Sequence, residues 1–346
     1  MPTIADVAVR AGVSVATAGR VLSGNGYAGR DTRAKVLLAA EELGYVPNQA
    51  ARSLRQGRTR LVGLLIADME NPFYSMIAKN VEYALKSAGY HLVLCNDNDD
   101  RDEERENLLI LERMGVDGLI VVPTGRNRTE LERLKEKGIQ IVQIDRYVPG
   151  LRCDGVVAEN ERVSAAAVSH LIESGHTSIG VLAGPSHLTT AKQRLLGYER
   201  ALREHGIPFR PELVRTGSFT HDHAVADATE LLGASPRPTA IFATNNVLAE
   251  ACVTALRERG LSIPSQMSLL AFDDLPWMSL THPPLSTVRQ PVAEMARMAA
   301  ELVVQRIESN AGRPNRMTFT AELVLRGSTA PPRAQDIEGR KSPAGH

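Results

Sequence analysis

His221-Asp222-His223 is a stretch whose residue types suggest a bound metal, but no further ligand stands beside it in the chain. Two histidines on one short loop read as solvated side chains. The run Asp97-Asn98-Asp99-Asp100 offers oxygen ligands yet lacks the glycine that an EF-hand turn requires, so it reads as a loop capping the next helix. Cys95, Cys153 and Cys252 are odd in number and widely spaced, giving neither a disulfide framework nor a zinc pattern. No Walker loop, G-x-S-x-G or H-E-x-x-H occurs, which argues against the common cytosolic α/β enzymes. The chemistry that remains is recognition, and it calls for no cofactor. Val15, Ala16, Gly19 and Arg20 share one face of a predicted helix, opposite Ala18, Val21 and Leu22. An arginine there can bond a guanine bidentately, and small apolar side chains suit a thymine methyl.

Charge supports that direction. The 346-residue chain is formally neutral, but residues 1–60 hold nine Arg or Lys against four Asp or Glu, so the remainder is acidic. A small basic head on an acidic body points to a polyanion contacted by the head alone. With 43% hydrophobic residues the chain has material for two or three cores. No run of 18 or more apolar residues and no apolar leader core appear, so a soluble, cytoplasmic protein is expected.

The elements that must position these residues follow a clear order. Thr3 can cap a first helix with Asp6 three residues on, and Gly12 breaks it. Ser14 caps a second helix, and a third runs from about Asp31 to Leu43 with Gly44 as its stop. Helix, tight turn, helix is the helix-turn-helix pattern. Asn48 can cap a very short fourth helix ending near Leu54, about two turns that would be unstable without a partner. From Leu61 the rhythm becomes strand, then helix. Apolar runs at 61–68, 91–97, 118–122 and 139–145 form one series; 178–184, 213–217, 240–245 and 267–273 form a second. Continuous apolar strands alternating with helices predict two doubly wound parallel sheets, each with its site at the carboxyl ends of its strands. The stretch 281–291 reads as a crossover followed by a long helix.

The segments TIADVAVRAGVSVATAGRVL, ELGYVPNQAARSL and FDDLPWMSLTHPPLSTVRQP closely resemble the LacI/GalR (lactose-repressor/galactose-repressor) family of bacterial transcriptional regulators. The likeness runs from Thr3 to about Leu325. It implies a helix-turn-helix headpiece (1–46), a hinge helix and linker (47–60), and a core resembling periplasmic sugar-binding proteins. The core's N-terminal subdomain is expected at 61–158 with 290–318 and its C-terminal one at 159–289 with 319–327, leaving 328–346 as a disordered tail. A periplasmic binding protein would share that core but would begin with a signal peptide and lack the basic head.

By the resemblance, Val15, Ala16 and Arg20 read base edges, while Ser14, Thr17, Asn25 and Tyr27 contact phosphates. Leu54 wedges into the minor groove, with Asn48 and Ala51 near the same face; an apolar side chain there gains its burial by kinking DNA. The partners implied are operator DNA, a second copy of the chain in a homodimer, and a small effector. No leucine heptad of the kind that makes a tetramer follows the core. The matching effector positions are Phe73, Tyr74, Asp145, Arg194, Phe219, Asn245 and Asp273. Their amides, carboxylates, guanidinium and aromatic faces suit a polyol, and a purine would use the same groups. Two departures from the family pattern stand out: Asn245-Asn246 where it has Asn-Asp, and Glu159-Asn160 where it has Asp-Asn. Gly19 and Gly29 stand where serine is common, and Gly19 costs roughly 0.5–1 kcal/mol in a helix interior.

Overall fold

Thr3 and Asp6 close the expected capping box. The Thr3 amide donates to Asp6 Oδ2 at 2.7 Å, and the Asp6 amide donates to Thr3 Oγ1 at 3.4 Å. They open α1 (Ile4–Ala11), which ends at Gly12 in the left-handed conformation, φ 65°. Ser14 Oγ accepts from the Thr17 amide at 3.1 Å and opens α2 (Val15–Ser23). α3 (Arg30–Glu42) begins one residue earlier than predicted, after Gly29, which supplies no side-chain cap. The computed structural model describes residues 2–23, 27–45, 58–309 and 312–333. The expected hinge helix lies outside them.

The three helices bury Val7, Ala8, Ala18, Val21, Val36, Ala39 and Ala40 together. Small residues at these positions let the helices approach closely. Gly19 departs from expectation. It is half-buried, and a Cβ built on it would meet Ile4 Cδ1 of α1 at 3.5 Å. It therefore borders the outward face of α2 instead of lying in it.

Met1–Arg60 and Leu61–His346 are separate units. In the second, β1 (Leu61–Ile66), α4 (Pro72–Ser87), β2 (His91–Asn96), α5 (Arg101–Met114), β3 (Gly118–Val121), α6 (Arg128–Glu136), β4 (Gln140–Ile144) and β5 (Asp154–Ala158) follow in turn. The chain then enters a second sheet through α7 (Asn160–Glu173), β6 (Ile179–Ala183), α8 (Thr189–Glu204), β7 (Val214–Thr216), α9 (His221–Leu232), β8 (Ala240–Ala243), α10 (Asn246–Glu258), β9 (Ser268–Phe272) and β10 (Ser286–Arg289). It returns through α11 (Val292–Ser309) and β11 (Arg316–Phe319) and crosses once more to β12 (Glu322–Val324). The sheet orders are β11-β5-β4-β3-β1-β2 and β12-β10-β9-β8-β6-β7.

Both faces of each sheet are covered, as continuous apolar strands require. Val62, Leu64 and Ile66 of β1 enter one core cluster, and Leu65 enters another on the opposite face. Every pairing is parallel except β10 with β12, which is antiparallel. The predicted crossover at 281–291 contains β10, and β5, β11 and β12 were not expected. These four strands span three to five residues and carry no long apolar run.

Three further expectations change. The start of the expected tail is packed: Ser328 is buried, accepts from the Ser286 amide at 2.7 Å and donates to the Leu269 carbonyl at 2.6 Å, and the Ala330 amide donates to Ser268 Oγ at 3.0 Å, while 334–346 lie outside the described residues. The His221-Asp222-His223 stretch opens α9 instead of forming a loop. Of the acidic run, Asp100 caps α5 as expected, but Asp97 is fully buried near Glu104. Burial, reinforced by Glu104, pushes the Asp97 carboxyl up to about 8.

Candidate functional site

The head presents its recognition candidates on α2. Val15 is 50% exposed and Tyr27 95% exposed, and Ser14, Ala16 and Arg20 are exposed as well. Thr17 is half-buried and joins Ser14 Oγ at 2.9 Å, while Arg20 Nη2 donates to Thr17 Oγ1 at 3.3 Å. The outward face thus combines a guanidinium, two hydroxyls and two small apolar groups. Asn25, Asn48, Ala51 and Leu54 lie outside the described residues.

In the core, a cleft of about 960 Å³ separates the carboxyl ends of the two sheets. Beneath it lies an inner pocket of about 20 Å³, lined by Phe73, Tyr74, Asp145, Arg194, Phe219, Asn245 and Asp273 together. All seven effector candidates therefore meet at one place, although they are spread over 200 residues of sequence.

Local structure explains how each arrives. Asn71 caps α4 by accepting from the Phe73 amide at 3.0 Å, which turns Phe73 and Tyr74 inward at the first helical turn. Asn245 caps α10 by accepting from the Leu248 amide at 2.8 Å. Asp145 follows β4 and Asp273 follows β9; both adopt left-handed backbone conformations, φ 65° and 72°. Aspartate tolerates that region better than most residues, and its use at matching strand ends marks a functional position. Gly184, after β6, carries the Phe219 ring against its backbone; a Cβ there would overlap the ring.

Arg194 organises the pocket. Its Nε donates to Asn160 Oδ1 at 2.8 Å and its Nη1 to the Thr244 carbonyl at 2.7 Å, while the guanidinium stacks 3.6 Å above the Phe272 ring. Burial pushes the Asp145 carboxyl up to about 6, against the pull of Arg194 and Arg146. Burial also raises the Asp273 carboxyl, though Gln290 Nε2 donates to it at 2.8 Å and the Asn246 amide at 3.3 Å.

Several residues of the site were not picked out in the sequence. Arg146, buried beside Asp145, donates to Asp99 Oδ1 at 2.6 Å and to the Tyr74 hydroxyl at 2.9 Å. Asn71 of the first subdomain pairs with Asn246 of the second. Asn246, a departure from the family pattern whose lost charge is expected near the pocket or the subdomain hinge, lines the pocket; Asn160, the other departure, holds Arg194 from behind, and Thr190 and Gln290 carry no signal in the sequence.

A model of the lacI family of bacterial regulatory proteins matches residues 3–48, and one of the periplasmic binding protein-like domain matches 168–329. The chain is 34% identical over 335 residues to the HTH-type transcriptional regulator DegA of Bacillus subtilis, covering 95% of this chain and 98% of that one. The chain belongs to the LacI family. This LacI-family chain is also 32% identical over 329 residues to the HTH-type transcriptional repressor PurR of Photobacterium profundum, covering 95% and 98% of the two chains. Among solved structures, a transcriptional regulator CelR-cellobiose complex superposes with a TM-score of 0.73 at 32% identity, over 95% of this chain and all of that one. The lac repressor dimer bound to operator and the anti-inducer ONPF shares the fold, with a TM-score of 0.83 at 24% identity and coverage of 95% and 99%. The LacI-family head is accordingly a DNA-binding element, and the protein is a transcriptional regulator. Among the described residues no helix is long and apolar enough to cross a membrane.

Proposed function

We propose that this regulator is a cytoplasmic repressor that binds a pseudo-palindromic operator as a dimer and is controlled by a sugar or sugar derivative in the core cleft. Arg20, with Val15 and Ala16, reads base edges; Ser14, Thr17, Asn25 and Tyr27 hold phosphates and so fix register. Leu54, flanked by Asn48 and Ala51, wedges into the minor groove at the operator centre. Dimerisation is supported by exposed apolar side chains on edge strand β2 (Leu94) and on the two helices packed beside it, Tyr83 of α4 and Ile110 and Met114 of α5. Such side chains on a sheet edge favour burial against a partner.

The convergence of seven candidates, from strand ends and helices, on one inner pocket carries the effector reading. The pocket also keeps buried groups in want of partners. Arg146 Nε is a donor and Gln290 Oε1 an acceptor, and neither is hydrogen-bonded. A polyol supplies both kinds of group from adjacent carbons. A 20 Å³ space holds about one water, so a ligand seated in the adjoining cleft reaches the inner groups as the subdomains part. That movement is coupled to the operator through the hinge, typically by 1–3 kcal/mol and reciprocally.

Thermal melting of the full chain against sugars and nucleosides, followed by operator binding with each hit, tests this reading. The expected result is a sugar that raises the melting temperature and changes operator affinity five- to 150-fold, on the order of the usual coupling. A panel in which nothing alters operator affinity would sink it, and a nucleoside as sole hit would move the effector to the purine class.

A further inference from the structure

The cleft and its inner pocket are lined by six carboxylates and three arginines. The arginines are already engaged. Arg146 is held by Asp99 at 2.6 Å, and Arg126 donates to His187 Nδ1 at 3.2 Å. Arg194 spends its Nε and Nη1 on the neutral oxygens of Asn160 and Thr244. In the inner pocket Asp145 and Asp273, each about 95% buried, face Arg194 and Arg146, and Arg146 is shared with Asp99. The nearest ion-pair contact of Asp145 is Arg146 Nε, at 3.7 Å. Gln290, 94% buried, donates its nitrogen to Asp273 and leaves Oε1 in the pocket with no donor. Acceptors and negative charge are therefore in excess where the effector must sit.

We propose that the effector is an amino sugar, a polyol whose ammonium group is held by Asp145, Asp273 and Gln290 Oε1. This rests on the reading of the cleft as the effector site. An ammonium brings three donors and one positive charge, the complement of two carboxylates and an amide oxygen. Arg146 Nε, which lies 3.7 Å from Asp145 but makes no hydrogen bond, requires an acceptor instead, and a ring hydroxyl of the same molecule provides it. Buried carboxylates are costly until paired, so the ammonium relieves a penalty that a neutral sugar leaves in place. The same carboxyl, raised to about 6 by burial, is ionised at pH 7.5 and available to the ammonium. A phosphorylated sugar adds negative charge to walls that already carry an excess, so it is disfavoured.

Calorimetric titration of the full chain at pH 7.5 distinguishes these cases. The probes are glucosamine and galactosamine, their parents glucose and galactose, N-acetylglucosamine, and glucosamine 6-phosphate. At least one amine is expected to bind ten-fold or more tighter than both its parent sugar and the N-acetyl compound, with the phosphate weaker than the amine. Asp145→Asn, checked for folding by its melting curve, is expected to bring amine and parent to near parity. Equal or tighter binding of a neutral sugar, or the phosphate binding best, overturns the proposal while leaving the sugar-effector reading intact. If no sugar binds at all, both fall. Retention of the full amine preference by a folded Asp145→Asn variant also overturns it.

Discussion

Asn71 and Asn246, 175 positions apart, exchange two amide hydrogen bonds across the cleft: Asn71 Nδ2 donates to Asn246 Oδ1 at 3.3 Å, and Asn246 Nδ2 donates to Asn71 Oδ1 at 3.1 Å. Both side chains are buried, and both line the outer cleft as well as the inner pocket. The pair joins the two subdomains with neutral groups only. An aspartate at 246, the usual family residue, would accept from Asn71 but could not donate back.

That reciprocity predicts a measurable coupling. Asn71→Ala and Asn246→Ala should each lower the urea unfolding free energy by about 1–3 kcal/mol, since each strands a buried amide. Because the two share one interaction, the double variant should lose less than the sum, by roughly 0.5–3 kcal/mol. Strict additivity in a double-mutant cycle would show that the pair contributes nothing across the cleft.

Arg194 should be the least replaceable polar residue of the core. Arg194→Met leaves Asp145 and Asp273 buried without their shared cation, a loss of roughly 3–5 kcal/mol in denaturant unfolding. Arg194→Lys should recover little of it. A lysine cannot bond Asn160 and the Thr244 carbonyl from one plane while stacking on Phe272. Near-native stability of the lysine variant would contradict this account.

Gly19→Ala should stabilise the head. The added methyl meets Ile4 Cδ1 at 3.5 Å, an ordinary contact, and the backbone there is helical. The gain expected is ~0.5–1 kcal/mol from helix propensity, read as greater amide-exchange protection of α1 to α3. Gly19→Ser should tighten operator binding by roughly 1 kcal/mol through propensity and an added hydroxyl. Weaker binding by either variant would mean that the missing side chain is used at the DNA.

Asp97 makes stability depend on pH in an unusual direction. Its folded-state carboxyl titrates near 8, above the value of about 3.9 in an unfolded chain. Between those values the folded state binds the extra proton, so stability falls as pH rises from about 4 to 8 and levels off beyond. Asp97→Asn removes this dependence. Its stability relative to the parent should climb by up to ~1.4 kcal/mol per pH unit over that window. Parallel stability curves for the two proteins would refute the assignment.

Much of this architecture is legible from local chemistry. Thr3, Ser14 and Gly12 mark helix ends because capping involves residues three or four positions apart. The apolar runs at 61–68 and 240–245 announce buried parallel strands because both faces of each are covered. Likeness to a family points to the seven effector positions, and the crevice at the carboxyl ends of the strands gives the reason they converge.

What the sequence by itself determined is therefore the order of elements, their caps and the basic character of the head, all set by interactions between near neighbours. Tertiary structure decided the rest. The short strands β5, β10, β11 and β12 acquire their identity only from partners in the two sheets, as with Arg316–Phe319 beside Gly155–Ala158. Asp97 reads as one acid in a polar loop, and burial beside Glu104 makes it a group that holds its proton near neutrality. Arg146, Asn160, Asn246 and Gln290 gain their roles in the same way. A buried polar group must find a partner in space, and these partners come from distant parts of the chain.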